Sequence, residues 1–382
     1  MKLKMTFLLI FIGTILHLAE DANTQEITCR DQDGNSVDWF YVYKLPDING
    51  YCSQCPHVSE GLAFLYLDAN SPKKWSISKH SLNEQNQALA HTLNQMYTRW
   101  NTVANFHYLY NDQTPDPADD SGYRGHTKGA LYFEAQSGFW LIHSVPRFVS
   151  TGTLYEYPSS GTTYGQSMLC VSFGTVNMLP EIIHQLYYTQ PNAYKKHNGL
   201  VGVFQSDYID KVMMGYSVSR DPRIRKAPLT SLGGTQFTHF AKHRRWNDDL
   251  YAHFVRNETQ TPLYVETWLN GNSADLPSFC EFPASEVHNL REVKPKNVPF
   301  MSSKDHSKWA ISGNASKPWV CIGDINRQAS QDDRAGGTLC QQNYAVWLNY
   351  VKATTVSESC DGQDEATEEL PNLAPYIDQC AV

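Results

Sequence analysis

Two tripeptides 180 residues apart, His126-Thr127-Lys128 and His306-Ser307-Lys308, are each trailed by the same pattern of residues. A tryptophan lies 14 or 13 positions after the histidine (Trp140, Trp319). A polar pair stands at 17 and 18 (His143-Ser144, Gly323-Asp324), and an arginine at 21 (Arg147, Arg327). One residue of slippage reconciles the copies, so the chain reads as an internal repeat. With 382 residues, 41% hydrophobic and 18% charged, it is long enough for two domains or one composite unit.

The repeated triplet has a chemical reading. Side chains alternate along a strand, so the His and Lys of His-x-Lys share a face. Two such strands brought together surround one small anion with two imidazoles and two ammonium groups. One neutral imidazole attacks phosphorus, the other protonates the departing alkoxide, and the lysines stabilise the equatorial oxygens. A single His-x-Lys is an ordinary solvated pair. The second copy turns the reading toward phosphoryl transfer. No metal and no cofactor is expected, since the lysines take the electrostatic role and no HExxH motif or carboxylate cluster is present.

Runs at 37–46 (VDWFYVYKLP), 62–68 (LAFLYLD), 130–134 (ALYFE), 139–145 (FWLIHSV) and 170–173 (CVSF) read as strands. Residues 81–100 carry Leu82, Leu89, Leu93, Met96 and Trp100 at helical spacing, with Ser81 and Glu84 as a capping box. In the second half, 200–204, 262–268, 308–312 and 319–323 read as strands, and 235–257 and 343–352 as helices. Strands and helices intermixed in both halves predict α/β layers.

Residues 1–24 pair two lysines with a short apolar run and small polar residues, which is the pattern of a secretory signal peptide. That route permits disulfides. The nine cysteines all lie beyond the leader, and an odd number leaves one thiol free or paired with another molecule. Cys52 and Cys55 read as a loop bridge or members of separate bridges, rather than a zinc pair. Asn257 and Asn314 head glycosylation sequons. The net charge is −8 at pH 7. Charging the 13 histidines of the mature chain moves the sum toward +5, so an acidic compartment makes this protein a polyanion binder. The acidic stretch at 361–382 reads as a solvated extension tethered through Cys380.

The segments GHTKG, FWLIHSVPRF, DHSKW, WVCIGDINR and RAGGTLC, with the early CRDQDGNSVDWFYVYKLP, resemble the deoxyribonuclease II family of the phospholipase D superfamily. The likeness spans residues 27–360. It implies a phospholipase D-like pseudo-dimer, with two mixed-sheet α/β halves at 25–190 and 191–360 and the active site at their interface. It also implies metal-independent cleavage of double-stranded DNA at acid pH, without sequence preference, leaving 3′-phosphate and 5′-hydroxyl ends in a lysosomal or extracellular setting. Carried over, the catalytic set is His126, Lys128, His143, His306 and Lys308. Arg147, Asn326 and Arg327 are substrate-binding, and Glu134 stands where an aspartate is expected. Family-like disulfides join Cys29 to Cys170, Cys280 to Cys360 and Cys321 to Cys340.

Further DNA contact is expected from cations, with Lys242–Trp246 (KHRRW) a candidate helix face and Arg334 near the second motif. Gly336-Gly337 forms a turn or a close phosphate approach. The rival reading is a catalytically impaired DNA- or surface-binding glycoprotein of the same fold. A phospholipase is disfavoured because no amphipathic membrane-docking stretch is evident, and no membrane partner is expected. The oligomeric state is open between a monomer and a homodimer, disulfide-linked through Cys380 or non-covalent.

Overall fold

The computed structural model describes residues 26–48, 55–281 and 285–366; the leader, Cys52, Cys380 and residues 367–382 lie outside the described residues. Two large sheets carry the chain. The first contains β1 (Trp39–Lys44), β2 (Phe64–Asp68), β3 (Ser76–Ile77), β4 (Phe106–Asn111), β5 (Lys128–Phe133), β6 (Ser137–His143), β7 (Gln166–Gly174) and β8 (Ala193–Asn198). Their order is β8-β4-β5-β6-β7-β1-β2-β3, antiparallel throughout.

The second contains β9 (Ile224–Thr230), β10 (Gln236–Lys242), β11 (Leu263–Glu266), β12 (Val287–Val293), β13 (Trp309–Ser312), β14 (Trp319–Gly323), β15 (Gly336–Gln342), β16 (Thr354–Glu358) and β17 (Asp364–Ala366). They run β9-β10-β15-β14-β13-β11-β12-β16-β17, with Phe300–Met301 beside β12 and only β11 and β12 parallel. Five neighbours recur between the sheets: β4-β5-β6-β7-β1 matches β11-β13-β14-β15-β10. A His-x-Lys motif leads into the second strand of each set.

Alternation along the strands decides what each face buries. Trp39, Tyr41 and Tyr43 of β1 join Trp140, Ile142, Trp309, Ile311, Val320 and Ile322 in one core between the sheets. Phe40 and Val42 point the other way, onto α1 (Ala88–Tyr97) through Leu89, Leu93 and Met96. The outer face of the second sheet buries Phe240, Val265 and Ala310 under the helical turn Leu250–Val255. Truncating a buried ring in the shared core, such as Trp309→Ala, is expected to cost about 3–5 kcal/mol.

Two further helices tie the halves together. α2 (Thr175–Thr189) leaves the first sheet and packs on β9 and β10. α3 (Tyr344–Val351) reaches back, with the Tyr350 ring 5.5 Å from Trp75 and Asn349 donating to the Pro72 carbonyl at 3.1 Å. Cys29 bonds to Cys170, Cys280 to Cys360 and Cys321 to Cys340, the three pairs the resemblance implies. Cys55 is disulfide-bonded as well.

Several expectations are corrected. The stretch 235–257 is not one helix: β10 occupies its first part, with Phe237 facing the shared core and Phe240 the outer one, a period of two rather than 3.6. Residues 200–204 form a turn closed by a single bridge, not a strand. Glu84 accepts from the Ser81 backbone at 3.0 Å as a capping box would, but this closes a turn ahead of α1, whose N-cap is Gln87. The acidic tail begins as ordered structure, since β17 pairs with β16.

Candidate active site

The first His-x-Lys motif runs into β5, which begins at Lys128, the second lies just ahead of β13, and each histidine is latched by the residue that precedes a strand of the other sheet. The His126 backbone donates to the Ala335 carbonyl at 2.8 Å, and the His306 backbone to the Gly165 carbonyl at 2.9 Å. Ala335 and Gly165 occupy corresponding places, one residue before β15 and β7. The Lys308 amide donates to Ser167 Oγ at 3.1 Å, and the Lys128 amide donates to the Asp324 carboxyl. Ser144 and Asp324, both 18 residues after a motif histidine, donate to the Ser167 and Gly337 carbonyls at 3.0 Å each. The repeated sequence thus becomes a reciprocal clasp. Close approach requires glycine at Gly165, where a Cβ would come within 2.4 Å of Asp305 Oδ1.

The charged neighbours differ between the motifs. Asp112, immediately after β4, forms a buried ion pair with Lys128. Its Oδ2 is 3.8 Å from His126 Nε2 and 3.3 Å from Arg334 Nη2. Those cations hold the Asp112 carboxyl well below the usual range despite its burial. Burial and the Lys128 ammonium push the His126 imidazole well below its ordinary value.

Around the second motif no carboxylate among the described residues bonds to the lysine. The Lys308 ammonium donates to the His306 carbonyl at 2.7 Å and lies 3.2 and 3.3 Å from the two nitrogens of that ring. His306 Nδ1 faces the Ser144 carbonyl at 3.0 Å; a carbonyl only accepts, so Nδ1 carries the proton and Nε2 is the acceptor that faces the Lys308 ammonium. Burial pushes both His306 and Lys308 well down, with Lys128 adding to each shift. Asp305 turns away, bonded to Tyr43 and the Ser307 backbone. The Trp268 ring packs edge-on against His306 at 5.2 Å.

Asp324 stands between the motifs. Burial pushes its carboxyl up to about 8, against the pull of Lys128. Its Oδ1 has no hydrogen-bond partner, and neither has Asn326 Oδ1. Two imidazoles, two ammonium groups and the Asp324 carboxyl are therefore close enough to act on one another's charge.

The other expected residues separate by environment. His143 is fully buried, accepts from the Val145 backbone at 3.2 Å and is pushed down to about 3 by burial. Arg147 pairs with Asp120 at 2.6 and 2.8 Å. Arg327 is 2% exposed and its fork is committed to Asp249, Asn289 and the Pro277 carbonyl, so it braces the loop that carries Asn326. Glu134 lies beyond the far end of β5, bonded to Tyr132 and Arg99. Lys242 does not lie on a helix face: it ends β10, buried, donating to the carbonyls of Asp248, Gln331 and Asp332. A Cβ on Gly337 would meet the Phe240 carbonyl at 2.4 Å, so this glycine serves strand packing.

Asp112, the latch carbonyls and Gln166, whose Oε1 lies 3.3 Å from His306 Nδ1, were not anticipated. The repeat held a faint signal for Ser144, which shares its offset with Asp324. Asp112 carries no such mark. Among the described residues, no group of three or more His, Cys, Asp or Glu is arranged to hold a metal ion.

The fold and site define an α/β protein with a paired-histidine centre, and the sequence matches the Deoxyribonuclease II family over residues 28–360. The chain belongs to that family. It is 36% identical over 347 residues to Deoxyribonuclease-2 of Caenorhabditis elegans, covering 85% of this chain and 91% of that one. Deoxyribonuclease-2-beta of Mus musculus is 36% identical over 333 residues, covering 86% and 91%. Plancitoxin-1 of Acanthaster planci is 34% identical over 350 residues, covering 91% and 96%.

Proposed function

We propose that this protein is an acid endodeoxyribonuclease that cleaves double-stranded DNA without sequence preference, needing neither metal nor cofactor. Its carrying observation is the reciprocal clasp, which holds two His-x-Lys motifs from distant sequence beside one another, an arrangement suited to a phosphate. In this reading the molecule is a phospholipase D-like pseudo-dimer of halves 25–190 and 191–360. A signal peptide directs it to the lysosome or the cell exterior, and Asn257 and Asn314 carry glycans.

A neutral ring nitrogen of His126 attacks phosphorus; the P–N bond forms as the P–O5′ bond breaks. His306 supplies the proton that makes the leaving oxygen a 5′-hydroxyl. Burial and the neighbouring ammonium groups disfavour protonated His306 in the free protein; the Ser144 carbonyl, accepting from Nδ1, offsets this in part, and the bound phosphate anion adds to that offset, so His306 serves as the acid in the substrate complex. Neutral His306 then takes a proton from water, whose oxygen displaces the histidine nitrogen and releases a 3′-phosphate. Lys128 and Lys308 stabilise the equatorial oxygens. His143 braces the site beside Lys128, while Asn326 and Arg147 bind the flanking strand and Arg327 positions Asn326.

The burial that depresses Lys308 and His306 makes acid necessary to keep them charged, and at low pH Asp324 is neutral and does not repel phosphate. The test is nicking of supercoiled plasmid at pH 5 in excess EDTA. Cleavage by the wild type with 3′-phosphate ends, absent in His126→Ala and His306→Ala, is the expected result. No cleavage by folded wild type, or higher activity at pH 8 than at pH 5, would overturn the reading.

A further inference from the structure

A cavity of about 530 Å³ opens beside the first motif, lined by cations and aromatic rings and by no aspartate or glutamate. We propose that it is a nucleotide subsite, which holds one unit of the substrate strand with its base turned out of the helical stack. The proposal rests on the nuclease reading and extends it from the scissile phosphate to a neighbouring nucleotide.

Position is the first argument. Arg124, in the cavity wall, is two residues from His126, at most about 7 Å between Cα atoms. A strand that lays a phosphate on the motif and continues along this wall therefore brings a neighbouring nucleotide to the cavity. The wall is also fixed to the site: Arg334 spans from Asp112 to the Arg124 carbonyl, donating at 3.3 and 3.0 Å. Gly125, next to His126, donates to the Gln190 carbonyl at 2.8 Å.

Chemistry is the second. Lys211 and Arg245 are exposed on the rim, and Arg244 stacks over the Tyr123 ring at 4.3 Å. Tyr123 and Tyr216 are 62% and 63% exposed, although tyrosine rings of a monomer usually bury their apolar faces. Exposed rings between cations form a stacking platform for unpaired bases. Gln190 forms part of the wall and is only 6% exposed, closing the cavity floor toward the first motif.

The test uses full-length protein silenced by His126→Ala, with binding at pH 5 monitored by fluorescence anisotropy. The probes are an eight-unit oligothymidylate and the same phosphodiester chain without bases. Lys211→Ala with Arg245→Ala is expected to weaken both probes about tenfold and to reduce the slope of log affinity against log salt by about 1.4, two cations at about 0.7 each. Tyr216→Ala is expected to weaken only the base-bearing probe, by about tenfold, with the slope unchanged. Lys211→Glu with Arg245→Glu, both on the surface, provides a second charge variant with a larger loss.

Equal affinity for the two probes in the parent protein, or unchanged affinity and slope in the charge variants, would overturn the subsite. Plasmid nicking by wild type is scored separately. If wild type fails to nick, the nuclease reading falls whatever the anisotropy shows; if it nicks and the anisotropy is flat, only the subsite falls.

Discussion

The two His-x-Lys motifs share a backbone and differ in charge. His126 and His306 are latched by equivalent carbonyls, Ala335 and Gly165, at nearly the same distance. Yet Lys128 is buried against Asp112, with Arg334 alongside, whereas Lys308 folds back onto its own histidine. Asp305, the carboxylate nearest the second motif in sequence, is spent on Tyr43 and the Ser307 backbone. The lesson is that duplication supplies positions, while the surrounding carboxylates divide the labour. The half with an anionic partner suits the nucleophile, and the half with only a carbonyl suits the proton carrier.

The largest expected effect is common to both halves. His126→Ala and His306→Ala should each lower kcat for plasmid cleavage by about 10⁴-fold or more, because residues that act as a unit fail together. A variant that kept a tenth of its activity would show that one half works alone. Next come the unlike carboxylates. Asp112→Asn should cost about 10³-fold in kcat/KM by leaving Lys128 without its counterion, and Asp305→Asn less than about tenfold. Equal losses would erase the asymmetry.

Gly165→Ala probes the clasp itself. The added methyl displaces Asp305 and with it the His306 latch, and a shift of about 1 Å costs about 10²-fold in kcat. A smaller effect comes from Asp324, which is neutral until its carboxyl ionises near pH 8 and then repels phosphate. Asp324→Asn stays neutral throughout. Its ratio of kcat/KM at pH 8.5 to that at pH 5 should exceed the wild-type ratio by about fourfold: a unit-charge repulsion of about 4 kcal/mol at protein-like dielectric silences the ionised form, and about a quarter of the carboxyl is still neutral at pH 8.5.

The smallest effect concerns stability without substrate. Eight histidines, at 91, 107, 126, 143, 184, 239, 243 and 306, are pushed down mainly by burial. Unfolded chains take up protons on these groups below about pH 6.5, the reference value, and the folded chain does not. Stability therefore falls as pH drops from 6.5 toward 5, by up to about 2 kcal/mol per fully buried histidine. Raised carboxyls at Glu266, Asp305 and Asp324 act in the opposite sense but are fewer. The melting temperature should be lower at pH 5 than at pH 7. The reverse result would mean that the histidines charge freely in the folded state.

The same burial revises the bulk-charge argument. With eight of the thirteen histidines pushed toward the neutral form, the mature chain does not swing to +5 on histidine protonation alone. DNA attraction must come from placed cations such as Lys211 and Arg245. The motifs, the strands that extend from them and α1 were legible because each depends on neighbours in sequence. Asp112 was not, because its role arises only when β4 lies beside β5. Lys242 misled for the same reason: three carbonyls from elsewhere in the chain close around a lysine that looks like part of a basic surface run.

The most direct test of the division of labour is an acid-free quench of the enzyme during DNA cleavage, with the phosphohistidine mapped by mass spectrometry. The account requires the adduct on His126, accumulating when the water-activating step is slowed. An adduct on His306 would reverse the roles of the two halves, and hydrolysis with no covalent intermediate would contradict the mechanism.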